Sequence, residues 1–300
     1  MRTLVYSLAL AAGLALAACS MNAPASAELM TWPDLLERSR PAADVEIRYG
    51  DNQVQVVDLW LPKGKGPHPT VLMVHGGCWQ TEIADRRIMD WIADDLRKRG
   101  IAVWNIDYRG VDRAGGGYPG TFLDTAAAAD ALRDHAGRYH LDISRIVAVG
   151  HSAGGHLALW LAGRSRLPAD SALRQGTPLP IATAISLGGL PDLEEAARPP
   201  GSGCGTEVIA RLTGSGRADV FADTSVPRLA PLGVPQILIN GAEDRIIPTF
   251  YAEDYARPMR AAGDKVEVRM IPATGHVELV APGTRAWAAA VEEIEKALHE

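Results

Sequence analysis

Residues 146–160 read Ile146-Val147-Ala148-Val149-Gly150-His151-Ser152-Ala153-Gly154-Gly155-His156-Leu157-Ala158-Leu159-Trp160. The first four are apolar and mostly β-branched, as in a strand buried on both faces. The last six have helical character, and between them stands the one Gly-x-Ser-x-Gly of the chain. A serine on so sharp a strand-to-helix turn is forced into strained backbone angles, and small neighbours let strand and helix approach while its hydroxyl points outward. This is the geometry of a nucleophile elbow, and it makes Ser152 the candidate nucleophile. The alternative, an ordinary turn serine, leaves the strand-turn-helix context unexplained.

Outward from the elbow, short apolar runs alternate with longer helical patterns, the signature of a mostly parallel sheet with helices on both faces, hence an α/β fold. Strands are expected at 71–74, 102–106, 146–149, 182–187, 236–240 and 266–271, with an opening antiparallel pair at 45–48 and 54–61 and a loop at 62–69. Helices are expected at 88–99, 121–139, 155–162, 251–262 and 284–298. Residues 191–231, with Pro199-Pro200-Gly201 and no strong strand pattern, interrupt this rhythm as either a lid insertion or a surface excursion without a role in binding.

A serine hydroxyl needs a base, and an imidazole needs an acid to hold its tautomer. Of the eight histidines, His276 follows the last expected strand, directly after the turn-like Ala273-Thr274-Gly275, and precedes the final helix, where this fold places its base. His75, His151 and His156 shape the surroundings; His68, His135, His140 and His299 read as surface residues. Asp244 follows the strand at 236–240 and lies between Ser152 and His276 in chain order, which makes it the candidate acid; Glu243 and Asp192 are the alternatives. His75-Gly76-Gly77-Cys78-Trp79 follows the strand at 71–74, so the amides of Gly77, Cys78 and Ala153 are the candidate oxyanion donors. Trp79 and Tyr108 either line an acyl pocket or pack in the core.

Together HGGCW, GHSAGG, GAEDRIIP and TGH resemble the HGG-type esterase and lipase branch of the α/β-hydrolases over residues 45–298. Within it the chain looks more like the bacterial acetyl and feruloyl esterase-like group and the kynurenine formamidases than the hormone-sensitive-lipase group. That last group usually has a third glycine where this chain has Cys78 and an acidic residue where it has His151. The resemblance implies a serine hydrolase of carboxylic esters working through an acyl-enzyme, with no metal or organic cofactor and a small-molecule ester as its partner. An arylformamidase-like amide hydrolase is the alternative activity, and a noncatalytic binding protein on the same fold is the alternative class.

The remaining features bound location and partners. Met1-Arg2 and the apolar stretch at 4–18 read as an export signal too short to span a membrane. Leu16-Ala17-Ala18-Cys19 resembles a bacterial lipobox, implying membrane attachment through a lipidated Cys19 in the cell envelope; Ala25-Ser26-Ala27 is the competing site for ordinary cleavage. The domains are therefore a leader and linker at 1–27 and one hydrolase domain at 28–300. In an exporting compartment Cys78 and Cys204 either pair or remain two buried thiols. A formal charge of -6, with no dense Lys/Arg run, lacks the footprint of nucleic-acid binding.

Overall fold

The computed structural model describes residues 28–300. The leader, Cys19 and the competing cleavage site lie outside the described residues.

Eight strands form one sheet: β1 (Val45–Arg48), β2 (Val56–Trp60), β3 (His68–Val74), β4 (Ala102–Ile106), β5 (Leu141–His151), β6 (Thr183–Leu187), β7 (Gln236–Gly241) and β8 (Val266–Ile271). Their spatial order is β1-β2-β4-β3-β5-β6-β7-β8. The first two pairings, β1 with β2 and β2 with β4, are antiparallel. Every later pairing is parallel.

Both faces of the central strands are buried, and the period-two alternation of strand side chains sorts the core into two clusters. Leu72, Val74, Trp104 and Ala148 face one side, packing with Phe122, Leu157, Tyr255 and Met259. Val71, Met73, Val103, Val147 and Val149 face the other, packing with Trp91, Leu96, Trp287 and Ile294. The covering helices are α2 (Asp90–Lys98), α3 (Gly120–Asp130), α4 (Leu132–Tyr139), α5 (Ala153–Gly163), α8 (Phe250–Ala261) and α9 (Arg285–His299), while α1 (Trp32–Leu36) precedes the sheet. Helix α9 is amphipathic: Trp287, Val291 and Ile294 are buried on its inner stripe and Thr284 caps it through Trp287 N–H at 3.1 Å.

Three local expectations need correction. The helix expected across 121–139 is two helices, α3 and α4, meeting at Ala131, whose angles (φ −59°, ψ −22°) stay right-handed. The expected loop at 62–69 yields its end to β3, because His68 and Pro69 pair with Leu141 and Asp142. That pairing also extends β5 back from residue 146 through a polar stretch that apolar patterning does not register.

The insertion at 191–231 carries two short helices, α6 (Leu193–Ala196) and α7 (Thr206–Thr213). It is pinned to the body: the carbonyls of Thr224 and Asp223 accept hydrogen bonds from His156 Nε2 at 2.8 Å and Trp160 Nε1 at 2.8 Å. Cys204 within it is disulfide-bonded to Cys78, with Cα atoms 5.4 Å apart. Of the two states left open by the sequence, the paired one holds.

Candidate active site

The candidate residues converge at the carboxyl ends of the parallel strands, where α/β sheets place their sites. Ser152 stands between β5 and α5 with φ 54° and ψ −123°, angles unusual for any residue other than glycine and worth on the order of 1–3 kcal/mol of strain. Two bonds hold the turn: Ser152 N–H donates to Leu187 O of β6 at 2.8 Å, and Gly155 N–H to Ser152 O at 2.8 Å. The motif glycines are required by close approach. A Cβ on Gly150 would lie 1.9 Å from Gly154 O, and one on Gly154 would lie 2.2 Å from Val74 O.

The candidate base and candidate acid meet directly. His276 Nδ1 lies 2.6 Å from Asp244 Oδ2, both side chains being buried. With a carboxylate accepting, Nδ1 carries the proton and Nε2 is left to accept another. The second oxygen of Asp244 accepts the backbone amides of Ile246 at 2.8 Å and Ile247 at 2.9 Å, so its own loop fixes the carboxylate. Gly188, at the end of β6, leaves room for the pair; a Cβ there would lie 3.2 Å from His276 Nδ1 and 3.3 Å from Asp244 Oδ2. The other candidate acids are elsewhere. Asp192 caps α6 by accepting the amides of Glu194 and Glu195, and Glu243 is exposed.

His151 connects the elbow to the base. Its ring centroid is 4.4 Å from that of His276, and its Nε2 donates to His276 O at 3.1 Å. Burial, then the proximity of His276, hold its pKa well below the ordinary histidine value. It therefore stays neutral beside His276.

The loop after β3 turns through three consecutive positive-φ residues, Gly77 (102°), Cys78 (52°) and Trp79 (54°). Among the described residues, the amides of Gly77, Cys78 and Ala153 donate to no backbone acceptor outside regular helix and strand pairing; Ala153 opens α5, where the first N–H groups have no intrahelical partner. That leaves the three amides unengaged by backbone, as the expected oxyanion donors would have to be. Gly76 packs against the elbow, since a Cβ there would lie 2.9 Å from Ser152 Cβ. The base of the loop is held by His75, whose Nε2 lies 2.9 Å from Asp107 Oδ1 and whose ring stacks on Tyr108 at 4.4 Å. Asp107 in turn pairs with Arg86 Nη1 at 3.1 Å. Trp79 and Tyr108 are fully buried, which assigns both to packing.

Several residues near the site escape sequence reasoning. Trp32 of α1 meets His151 edge-on, with ring centroids 6.0 Å apart. Buried Glu278 accepts Gly275 N–H at 3.0 Å beside the base and Met30 N–H at 2.6 Å from the first described segment. The acidic residue two places after His276 is a visible signal; its partner 248 residues away is not.

The comparisons with known proteins agree with this fold. BD-FAE is the family that matches, over residues 57–256. Esterase LipC of Mycobacterium tuberculosis is 26% identical over 239 residues, covering 77% of this chain and 58% of LipC. This chain thus spans little more than half of that relative. A monoacylglycerol lipase of Mycolicibacterium smegmatis is 28% identical over 74% of this chain and 85% of its own. Among solved structures, Thermogutta terrifontis esterase 2 phosphonylated by sarin superposes with a TM-score of 0.71 at 20% identity, covering 90% of this chain and 97% of that one. A truncated carbohydrate esterase from gut microbiota does so with 0.68 at 19% identity, over 87% and 98%. Likeness at that identity carries the fold, and the family match, across about two thirds of the residues, carries the membership: the chain belongs to the BD-FAE family of α/β-hydrolases.

Proposed function

We propose that this protein hydrolyses carboxylic esters through an acyl-enzyme on Ser152. The observation that carries the reading is the His276–Asp244 pair at 2.6 Å, reached through His151, which lies against His276 and directly precedes a serine in nucleophile-elbow geometry. Ser152 Oγ attacks the acyl carbon as His276 Nε2 takes its proton, and Asp244 stabilises the resulting imidazolium. The amides of Gly77, Cys78 and Ala153 receive the oxyanion. His276 then protonates the departing alkoxide, and water, deprotonated by the same base, cleaves the acyl-serine. The scheme requires only side chains, backbone amides and water. The esterase names of the relatives support it.

The reading includes export, with residues 1–27 as leader and Cys19 as a lipid-modified anchor in the bacterial envelope; the Cys78–Cys204 disulfide suits an oxidising compartment. Mass spectrometry of the mature protein tests the anchor, and an unlipidated N-terminus at Glu28 would remove it. The activity is tested with a panel of short-to-long acyl esters plus N-formylkynurenine, run on the parent and on Ser152→Ala. Selective ester turnover lost in the variant is expected; preference for the formamide, or turnover indifferent to Ser152, contradicts the proposal.

A further inference from the structure

The described chain begins against the active site. Leu29, Met30 and Trp32 line a groove together with Ile246, Val277 and His276 itself; its volume is about 330 Å³, within the range of ~300–1,000 Å³ typical of small-molecule sites. The charged residues of the groove, Glu243 and Arg245, are exposed at its rim.

The segment with Leu29, Met30 and Trp32 is clamped to the loop that carries His276. Met30 N–H and Gly275 N–H donate to opposite oxygens of buried Glu278. Beyond the groove, Arg38 Nη1 donates to Pro282 O at 3.1 Å. Between those two ties, a capping box of Thr31 and Asp34 starts α1 and fixes where Trp32 emerges. Trp32 then rests edge-on against His151, which rests against His276.

We propose that residues 29–33 form the alcohol-side wall of the substrate cleft and that Trp32 and Met30 select esters of apolar alcohols. The inference rests on the esterase reading above, and its chemistry follows from which atom the base serves. When the tetrahedral intermediate collapses, the acyl carbon keeps its bond to Ser152 Oγ and loses its bond to the alkoxy oxygen. The proton on His276 Nε2 passes to that oxygen as the bond breaks. The alkoxy oxygen is therefore at His276 when the alcohol leaves, and the carbon chain attached to it extends into whatever adjoins His276. Here that is an apolar groove, so methylenes of the alcohol are removed from water as the ester binds, each worth about 0.8 kcal/mol, or roughly fourfold in kcat/KM.

Two ester series separate this role from a structural one. In the first the acyl group is acetyl and the alcohol lengthens from methanol to hexanol; in the second the alcohol is ethanol and the acid lengthens from acetic to hexanoic. Both are run on the parent, Trp32→Ala and Met30→Ala, with Ser152→Ala as the blank. In the parent, kcat/KM is expected to climb along the alcohol series, and in the variants that climb flattens while the dependence on acyl length keeps its slope. A general loss of fold or of base alignment would depress both series together. Should Trp32→Ala be inactive throughout, the Met30→Ala series decides. An alcohol series whose slope survives both substitutions, or slopes that fall equally in the two series, overturns the inference alone. Ester turnover surviving Ser152→Ala overturns the esterase reading and this inference with it.

Discussion

Removing the Cys78–Cys204 disulfide by Cys204→Ser tests how the site is held, because the bond ties the loop of the proposed oxyanion amides to the insertion at 191–231. The insertion also reaches the loop of Asp244, where Gly203 N–H donates to Ile246 O at 2.7 Å. The cross-link thus braces two of the loops around Ser152. Its closed loop spans a sequence separation of 126, for which chain entropy gives about 5 kcal/mol as an upper figure, with ~2–4 kcal/mol typical of measured cases. At ~2 °C per kcal/mol for a chain of this size, Cys204→Ser should lower Tm by roughly 4–8 °C under non-reducing conditions. The catalytic effect follows from geometry: oxyanion amides displaced by ~1 Å cost up to ~10²-fold in kcat. Differential scanning fluorimetry and ester hydrolysis well below Tm read the two effects separately, and adding reductant to the parent should reproduce both. A variant with parental Tm and parental kcat would refute the reasoning, as would two free thiols titrated at these positions in unreduced protein.

Asp244→Asn preserves shape while removing the charge that stabilises the imidazolium and the acceptor that fixes its tautomer. A fall in kcat of about 10⁴-fold with little change in Tm is expected; activity within tenfold of the parent would assign the acid elsewhere. His156 offers a pH prediction. Its Nε2 donates to Thr224 O, its Nδ1 has no partner among the described residues, and burial lowers its pKa to about 4. Because the unfolded chain binds this proton below about 6.5 and the folded chain does not, stability should drain as pH falls from 6.5 to 4, by up to about 3 kcal/mol. Asp90, raised to about 7 by burial, works in the opposite direction over much of this window. The observable is therefore the difference between the parent and His156→Gln in urea unfolding, which should shift in the variant's favour from pH 7 to pH 4; a pH-independent difference would exclude a buried neutral His156.

Legibility in the sequence followed the range of the interaction. The parallel strands show themselves because burial on both faces leaves compact apolar runs such as 71–74 and 146–149. The elbow shows itself because close backbone approach at Gly150 and Gly154 excludes any side chain. Asp244 and His276 follow β7 and β8 directly, so chain order and strand ends locate them. Cys78 and Cys204 carry no local mark of their pairing, since proximity across 126 residues is a property of the fold. Trp32 sits in a helix of five residues, too short for any period to register. Glu278 acts through partners 245 residues apart in the chain, Met30 and Gly275, and the polar start of β5 is a strand only because β3 lies beside it.

The central claim is that Ser152 is the nucleophile and His276 activates it. A fluorophosphonate probe, which reacts with serine hydroxyls activated by a neighbouring base, tests this directly when the labelled residue is located by peptide mass spectrometry. The account predicts one adduct, on Ser152, in the parent, and its loss in both Ser152→Ala and His276→Ala. An adduct on another serine, or labelling of Ser152 undiminished in His276→Ala, would contradict it.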